Sequence, residues 1–152
     1  MNYWDKKLIR EQLDKKLNVL KNFGGYIPQQ GWIKTIREVL GLSTSQLGKK
    51  VGIDQSRISR LENAEKTGNL KLSSLQKIAQ GLNMKFVYGF VPEDTLESMV
   101  KDQAKRIALK RMKILDNTMR LEKQALSEEE KKKALDDMME KILIDNLKGL
   151  WD

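Results

Sequence analysis

The spacing of apolar residues predicts a long amphipathic helix over residues 5–23. The apolar residues of this segment lie three to four positions apart: Leu8, Ile9, Leu13, Leu17 and Leu20. This is the spacing of one face of a helix. Gly24, Gly25 and Pro28 then interrupt the pattern, because glycine and proline are the strongest local breakers of helices. We therefore predict an N-terminal helix followed by a linker to residue 30.

From residue 32 onward the pattern changes to short helices. The four predicted helices cover residues 32–40, 44–51, 54–63 and 73–82. Ser43 followed by Gln46 is a capping-box pattern, which marks the start of the second of these helices. Gly52 suits the left-handed conformation that ends a helix, and Asp54 is a good N-cap for the helix after it.

Residues 84–91 break the helical pattern. Their sequence, MKFVYGFV, is rich in aromatic and β-branched residues and is followed by Pro92, which predicts a short β-strand. Because a single strand cannot satisfy its own hydrogen bonds, we expect it to pair with a second copy or with another chain. The alternative is a buried apolar connector.

Charge separates the middle of the chain from the segment after Pro92. Residues 31–92 carry ten basic and four acidic side chains, whereas residues 93–152 carry thirteen basic and fourteen acidic ones. Two long helices are predicted in the latter segment, one over 95–123 and one that begins at the capping-box pattern of Ser127 and Glu130. We therefore divide the chain into residues 1–30, a basic module at 31–92 and a tail at 93–152.

Composition excludes several classes of enzyme. The 152 residues include no His and no Cys, and their formal net charge is +8. Catalytic Ser–His and Cys–His pairs and zinc sites built on these residues are therefore excluded, and we expect no metal or other cofactor. Asp136 and Asp137 lie among lysines without a glycine-rich phosphate loop, so we expect no enzyme activity.

The apolar segments are too short for a membrane. The first sixteen residues are charged throughout, unlike a secretory signal. The longest near-apolar stretch, residues 86–91, is far below the roughly 20 residues that cross a bilayer. We therefore expect a cytoplasmic protein without membrane contact.

Residues 42–63, LSTSQLGKKVGIDQSRISRLEN, contain two predicted short helices joined by a glycine-containing turn. This is the spacing of a helix-turn-helix, whose second helix presents its first residues to the major groove of DNA. The candidate DNA-binding residues lie on these two helices: Gln46, Lys49, Lys50, Gln55, Ser56, Arg57, Ser59 and Arg60.

The chemistry of these side chains assigns them different contacts. Glutamine pairs with adenine, arginine with guanine, and serine with either, so Gln55, Ser56, Arg57 and Ser59 are candidates for reading bases. Gln46, at the start of its helix, is a candidate for holding a phosphate through its backbone N–H. The three cations Lys49, Lys50 and Arg60 are candidates for backbone contacts. For each residue, the alternative is a solvated surface side chain.

The strings QLGKKVGIDQSRISRLENAE and LSSLQKIAQGLN resemble the Cro/cI-type (Xre) helix-turn-helix of phage repressors and many antitoxins. The resemblance implies a five-helix domain of this type. Together with the N-terminal helix, the short β-strand and the two long C-terminal helices predicted above, it leads us to expect an all-α fold. It also implies binding to double-stranded operator DNA, and we expect a homodimer.

A narrower resemblance covers most of the chain. Residues 31–92, together with the string NTMRLEKQ at 117–124, are similar to the family called mobile mystery protein A. Members are encoded on bacterial mobile elements beside a Fic-domain protein. The resemblance implies that this chain is the antitoxin of a Fic-type toxin–antitoxin module, which binds the toxin through its tail and represses its own operon. The alternative function is a stand-alone repressor of a mobile element whose tail serves only for dimerisation.

One tail motif resembles the inhibitory helix of Fic systems, [S/T]-x-x-x-E-[G/N]. Residues 118–122 match its first five positions, from Thr118 to Glu122, but Lys123 replaces the Gly or Asn of the sixth. Residues four apart share a helix face, and a glutamate beside a phosphate-binding arginine takes the place of the ATP γ-phosphate. The alternative is a chance pair on a helix surface, because the chain has 13 Ser and Thr and 11 Glu.

Overall fold

The computed structural model describes residues 1–121, 127–145 and 147–152. The described residues form seven α-helices and one short 3-10 helix. These are α1 Tyr3–Phe23, α2 Trp32–Val39, α3 Thr44–Val51, α4 Gln55–Thr67, α5 Leu72–Gly81, α6 Leu96–Leu121, α7 Glu128–Asp145 and the 3-10 helix Lys148–Trp151. The chain divides into a central unit, residues 23–89, and a terminal unit, residues 1–22 with 90–152. In the part of the chain that the structure describes, no helix is long and apolar enough to cross a membrane.

The central unit packs α2, α3, α4 and α5 around one apolar core. The buried side chains of this core are Ile33, Leu47, Val51, Ile53, Ile58 and Ile78. The four helices predicted from the sequence are present, and α3 has the predicted bounds. The five-helix count is wrong for this unit, because the described chain forms no further helix between α5 and residue 89.

The predicted strand at residues 84–91 is not formed. The segment is described throughout, and its backbone is neither helix nor strand. The composition favours a strand, but a strand needs a hydrogen-bonded neighbour, and the described chain contains no other strand to supply one. The buried connector is not observed either, because Val87, Tyr88 and Phe90 are exposed.

Two carboxylates of α4 hold α2 in place. Glu62 accepts from Arg37 through both of its oxygens, at 2.5 and 3.3 Å, and Arg37 also donates to the Leu42 carbonyl at 3.0 Å. Glu65 accepts from the backbone N–H groups of Trp32 and Ile33 at 2.7 and 2.9 Å. These N–H groups start α2 and have no partner within their own helix. The two glutamates therefore turn inward, toward the protein.

The terminal unit has its own core between α6, α7 and the 3-10 helix. Its buried side chains are Val100, Ala104, Ala108, Ile142, Leu143 and Leu150. The completely buried Ala104 and Ala108 lie four residues apart on α6, and side chains four apart share one helix face. At these two positions α6 therefore presents only methyl groups to the core of the unit.

Polar contacts tie α1 to the beginning of α6. The Asp14 carboxylate accepts from the backbone N–H groups of Leu96 and Glu97, at 2.7 and 3.3 Å. Arg10 donates to Glu97 across 2.7 Å, and both side chains are largely buried. The N-terminal helix therefore belongs to the same unit as the tail helices, although residues 23–89 separate them in sequence.

Candidate nucleic-acid interface

Two glycines shape the turn between α3 and α4. Gly48 lies in the middle of α3, where a Cβ atom would collide with the carbonyl oxygen of Ile53. Gly52 ends α3 in the left-handed conformation, with φ +76°, which glycine adopts without steric cost. On either side of Gly52, Val51 and Ile53 are buried in the core. The chain therefore turns directly from α3 into α4 with both helices packed on the same core.

Ser43 and Gln46 form the predicted capping box at the start of α3. The Ser43 hydroxyl accepts from the Gln46 N–H at 3.1 Å, and the Gln46 side-chain oxygen accepts from the Ser43 N–H at 2.8 Å. The backbone N–H of Gln46, predicted to hold a phosphate, is therefore bonded to Ser43. The exposed side-chain amide of Gln46 still has its nitrogen as a donor at this surface.

Asp54 caps the start of α4, as predicted. One oxygen of its carboxylate accepts from the Arg57 backbone N–H at 3.0 Å and from the Ser56 hydroxyl at 2.6 Å. The hydrogen bond from Ser56 and then the one from Arg57 lower the pKa of Asp54 below its ordinary value. The carboxylate is therefore ionised at neutral pH.

One face of α4 points directly away from the core. Ile58, Leu61 and Glu62 face inward, and successive residues of a helix are rotated by about 100°. In residues 55–63 of the helix, the residues opposite that inner face are therefore Ser56, Arg60 and Asn63, all of which are exposed. We call this set the outer face of α4. It combines a hydroxyl, a guanidinium and an amide, which are groups that pair with base edges.

The other predicted residues lie beside this face. Gln55 and Arg57 are exposed in the first turn of α4, and Ser59 is half-buried at the margin of the outer face. Lys49 and Lys50 are exposed in the last turn of α3. All the predicted residues thus lie on the two helices of the motif, and seven of the eight side chains are exposed. Sequence reasoning missed Asn63, although its spacing of seven from Ser56 and three from Arg60 is a helical signal.

The predicted inhibitory motif of the tail, residues 118–122, extends beyond the described residues. Thr118 belongs to α6, and Glu122 lies outside the described residues. The two carboxylates considered for catalysis, Asp136 and Asp137, are exposed on α7. Within the ranges that the structure describes, no group of three or more acidic residues is placed to hold a metal ion.

Comparison with known proteins bears on the central unit. Residues 33–88 match the helix-turn-helix family of the Cro/cI type. The matched segment begins in α2, contains α3, the turn and α4, and ends after α5. No match was found among curated proteins or among solved structures. The central unit is therefore a helix-turn-helix domain, the type of domain found in DNA-binding regulators.

Proposed function

We propose that the protein is a transcription regulator that binds double-stranded operator DNA through α3 and α4. The observation that carries the proposal is the outer face of α4, which presents Ser56, Arg60 and Asn63 to solvent on the second helix of a helix-turn-helix. In such motifs this helix enters the major groove. We assign Arg60 and Arg57 to guanine, and Asn63 and Gln55 to adenine.

The distribution of charge supports a polyanionic partner. The central unit carries ten basic and four acidic side chains. Glu62 forms an ion pair with Arg37, and Glu65 accepts hydrogen bonds from the backbone at the start of α2. Glu38 lies 3.9 Å from Lys34. The cations of α3 and α4 are therefore opposed near the interface mainly by Asp54. We assign Lys49 and Lys50 to phosphate contacts, which supply affinity irrespective of sequence.

We further propose that the protein binds as a homodimer and represses its own operon. A two-fold arrangement of helix-turn-helix domains reads two half-sites about one helical turn apart. The test is titration of the full chain with duplexes from the region upstream of its own gene, at two salt concentrations. We expect a footprint with two-fold symmetry and an affinity that falls with salt. Equal affinity for a scrambled duplex would contradict sequence-specific regulation.

A protein partner for the terminal unit is the second part of the proposal. We propose that the tail binds and silences a Fic nucleotidyltransferase encoded beside this gene, with Glu122 as the inhibitory residue. The support is the resemblance of residues 31–92 and 117–124 to mobile mystery protein A, together with exposed apolar side chains on the terminal unit such as Leu8, Leu13 and Leu109. The chain would then be the restraint on an enzyme and not an enzyme itself.

Replacing Glu122 tests this inhibitory role. In the co-purified complex, Glu122→Gly should release AMP transfer because the ATP γ-phosphate regains its binding arginine. DNA binding should be unchanged. The matched control is Glu140→Gly, the same exchange at an exposed position of α7, which should inhibit like the parent chain. Full inhibition by Glu122→Gly would contradict the role of this residue.

The alternative is a stand-alone repressor whose tail only dimerises. The two functions are distinguished by whether the neighbouring reading frame encodes a Fic-domain protein and whether that protein binds this chain. Co-expression of the two proteins should yield a complex if the chain is an antitoxin, whereas the stand-alone repressor should purify without the neighbouring protein.

A further inference from the structure

The Asp54 carboxylate controls how Ser56 can form hydrogen bonds. Ser56 Oγ lies 2.6 Å from Asp54 Oδ1, and an ionised carboxylate only accepts hydrogen bonds. A serine hydroxyl has one proton and two lone pairs. The proton of Ser56 is therefore committed to Asp54, while the lone pairs of its oxygen remain available at the outer face of α4.

Ser59, on the same helix, shows the contrast. Its hydroxyl lies 3.4 Å from the backbone carbonyl of Gln55. This distance exceeds the range of about 2.5–3.0 Å for O–H···O hydrogen bonds, and the acceptor is uncharged. The proton of Ser59 is therefore held much less firmly than that of Ser56. Of these two serines of α4, Ser56 is the one whose hydrogen-bonding direction is fixed by a charged neighbour.

We propose that Asp54 is a positioning residue that makes Ser56 an acceptor-only reader of bases. In the major groove, adenine N6 and cytosine N4 are donors, whereas guanine O6 and thymine O4 are acceptors. A serine free to rotate suits either group. Ser56 held by Asp54 selects adenine or cytosine over guanine or thymine at the base that it contacts. This inference rests on the proposed DNA-binding function.

The expected size of the preference follows from one hydrogen bond. A single neutral hydrogen bond made or lost corresponds to a preference of about threefold to tenfold in affinity. Asp54 also places a negative charge close to the DNA, so its removal should raise affinity for every duplex. The ratio between amino and keto bases at one position, and not the affinity itself, is therefore the informative quantity.

The experiment uses the full chain and duplexes that it selects from a randomised pool. Each position of the selected duplex is then changed from A to G or from C to T, and affinities are measured for the parent chain and for Ser56→Ala. The position read by Ser56 is the base pair where Ser56→Ala changes the ratio between the amino and the keto base. Because a change from A to G also replaces thymine by cytosine on the opposite strand, the contact is assigned by replacing the adenine with purine or the cytosine with 2-pyrimidinone, each of which lacks the exocyclic amino group. Asp54→Ser is the deciding variant, because serine still caps the helix but carries its own proton and no charge.

We expect Asp54→Ser to reduce the amino preference at that position from about threefold to tenfold to near equality, with other positions unchanged. Ser56→Thr, which keeps the hydroxyl, should retain the preference. If Asp54 were only a helix cap, Asp54→Ser would change the affinity for all duplexes alike and leave the ratio intact, and that result would overturn the proposal. Equal affinity of the parent chain for a duplex that lacks the exocyclic amino group at that position would also overturn it.

The outcome separates this inference from the function on which it rests. If the parent chain selects no duplex from the pool, the proposed DNA binding has failed and the inference fails with it. If the parent chain selects a duplex but no position depends on Ser56, DNA binding stands and only the role of Asp54 and Ser56 is overturned.

Discussion

At the scale of single residues, charge and orientation divide the candidate interface into two kinds of contact. Arg60 lies on the outer face of α4, opposite the buried Ile58, and in the proposed mode of binding its guanidinium meets base edges. Lys49 lies in the last turn of α3, and a flexible ammonium group binds phosphate as a point charge. Their replacement by alanine should therefore have different consequences.

Arg60→Ala should reduce the binding free energy for the preferred duplex by about 1–3 kcal/mol and relax the preference at one base pair. Lys49→Ala should weaken binding to all duplexes alike and reduce the slope of log affinity against log salt concentration by about one. Arg57→Ala is the companion variant, because Arg57 lies beside the outer face. Fluorescence titration against the preferred and a scrambled duplex at several salt concentrations measures both effects. An unchanged base preference in both arginine variants would contradict base reading by the two arginines of α4.

At the scale of elements, the turn between α3 and α4 depends on glycine for two different reasons. Gly48→Ala places a methyl group against the carbonyl oxygen of Ile53. Because this oxygen belongs to the backbone, it can move away only if the turn itself shifts. Gly52→Ala meets open space but must adopt φ +76°. We expect Gly52→Ala to cost about 1–2 kcal/mol and Gly48→Ala to cost more, because overpacking adds a shift of the backbone. Denaturant unfolding of the two variants gives the order, and a smaller loss for Gly48→Ala would contradict the close packing at Gly48.

Local signals explain why some elements could be predicted and others could not. The bounds of α3 were predicted because Ser43 and Gly52 mark its two ends within a few residues. The predicted end of α4 at residue 63 was wrong, because the helix continues to a left-handed Gly68. The strand at 84–91 was wrong because its formation depends on a partner, which composition does not reveal. Local chemistry therefore determined the helix caps, while pairing and packing required the structure.

The candidate interface was predictable to a similar extent. Residue type and spacing predicted that the eight candidate side chains lie on two short helices, and this location is confirmed, because a helix-turn-helix is a local motif. Their contacts with DNA stay a prediction. The hydrogen bond from Ser56 to Asp54 and the inward turn of Glu62 and Glu65 were not predicted. The first depends on one side-chain rotamer, and the second depends on α2, which lies more than twenty residues away in sequence.

At the scale of the whole molecule, the division into two units predicts that stability and DNA binding can be separated. All the described hydrogen bonds of Asp14 lie in the terminal unit, where its carboxylate caps α6 at Leu96 and Glu97. The outer face of α4 belongs to the central unit. A change at Asp14 should therefore affect the beginning of α6 and leave the reading of DNA unchanged.

Asp14→Ala removes the carboxylate by which α1 caps α6. We expect this loss to reduce the free energy of unfolding by about 1 kcal/mol. The melting temperature should fall by about 2–4 °C for a chain of this length. Hydrogen exchange should accelerate at the Leu96 and Glu97 amides, because both lose their acceptor. Glu11→Ala is the matched control: it removes the same charge from an exposed position of α1 and should leave both amides protected. Affinity for the preferred duplex should be equal in the parent chain and both variants. A loss of DNA binding in Asp14→Ala alone would show that the cap on α6 also supports the central unit, and the two functions would then depend on one another.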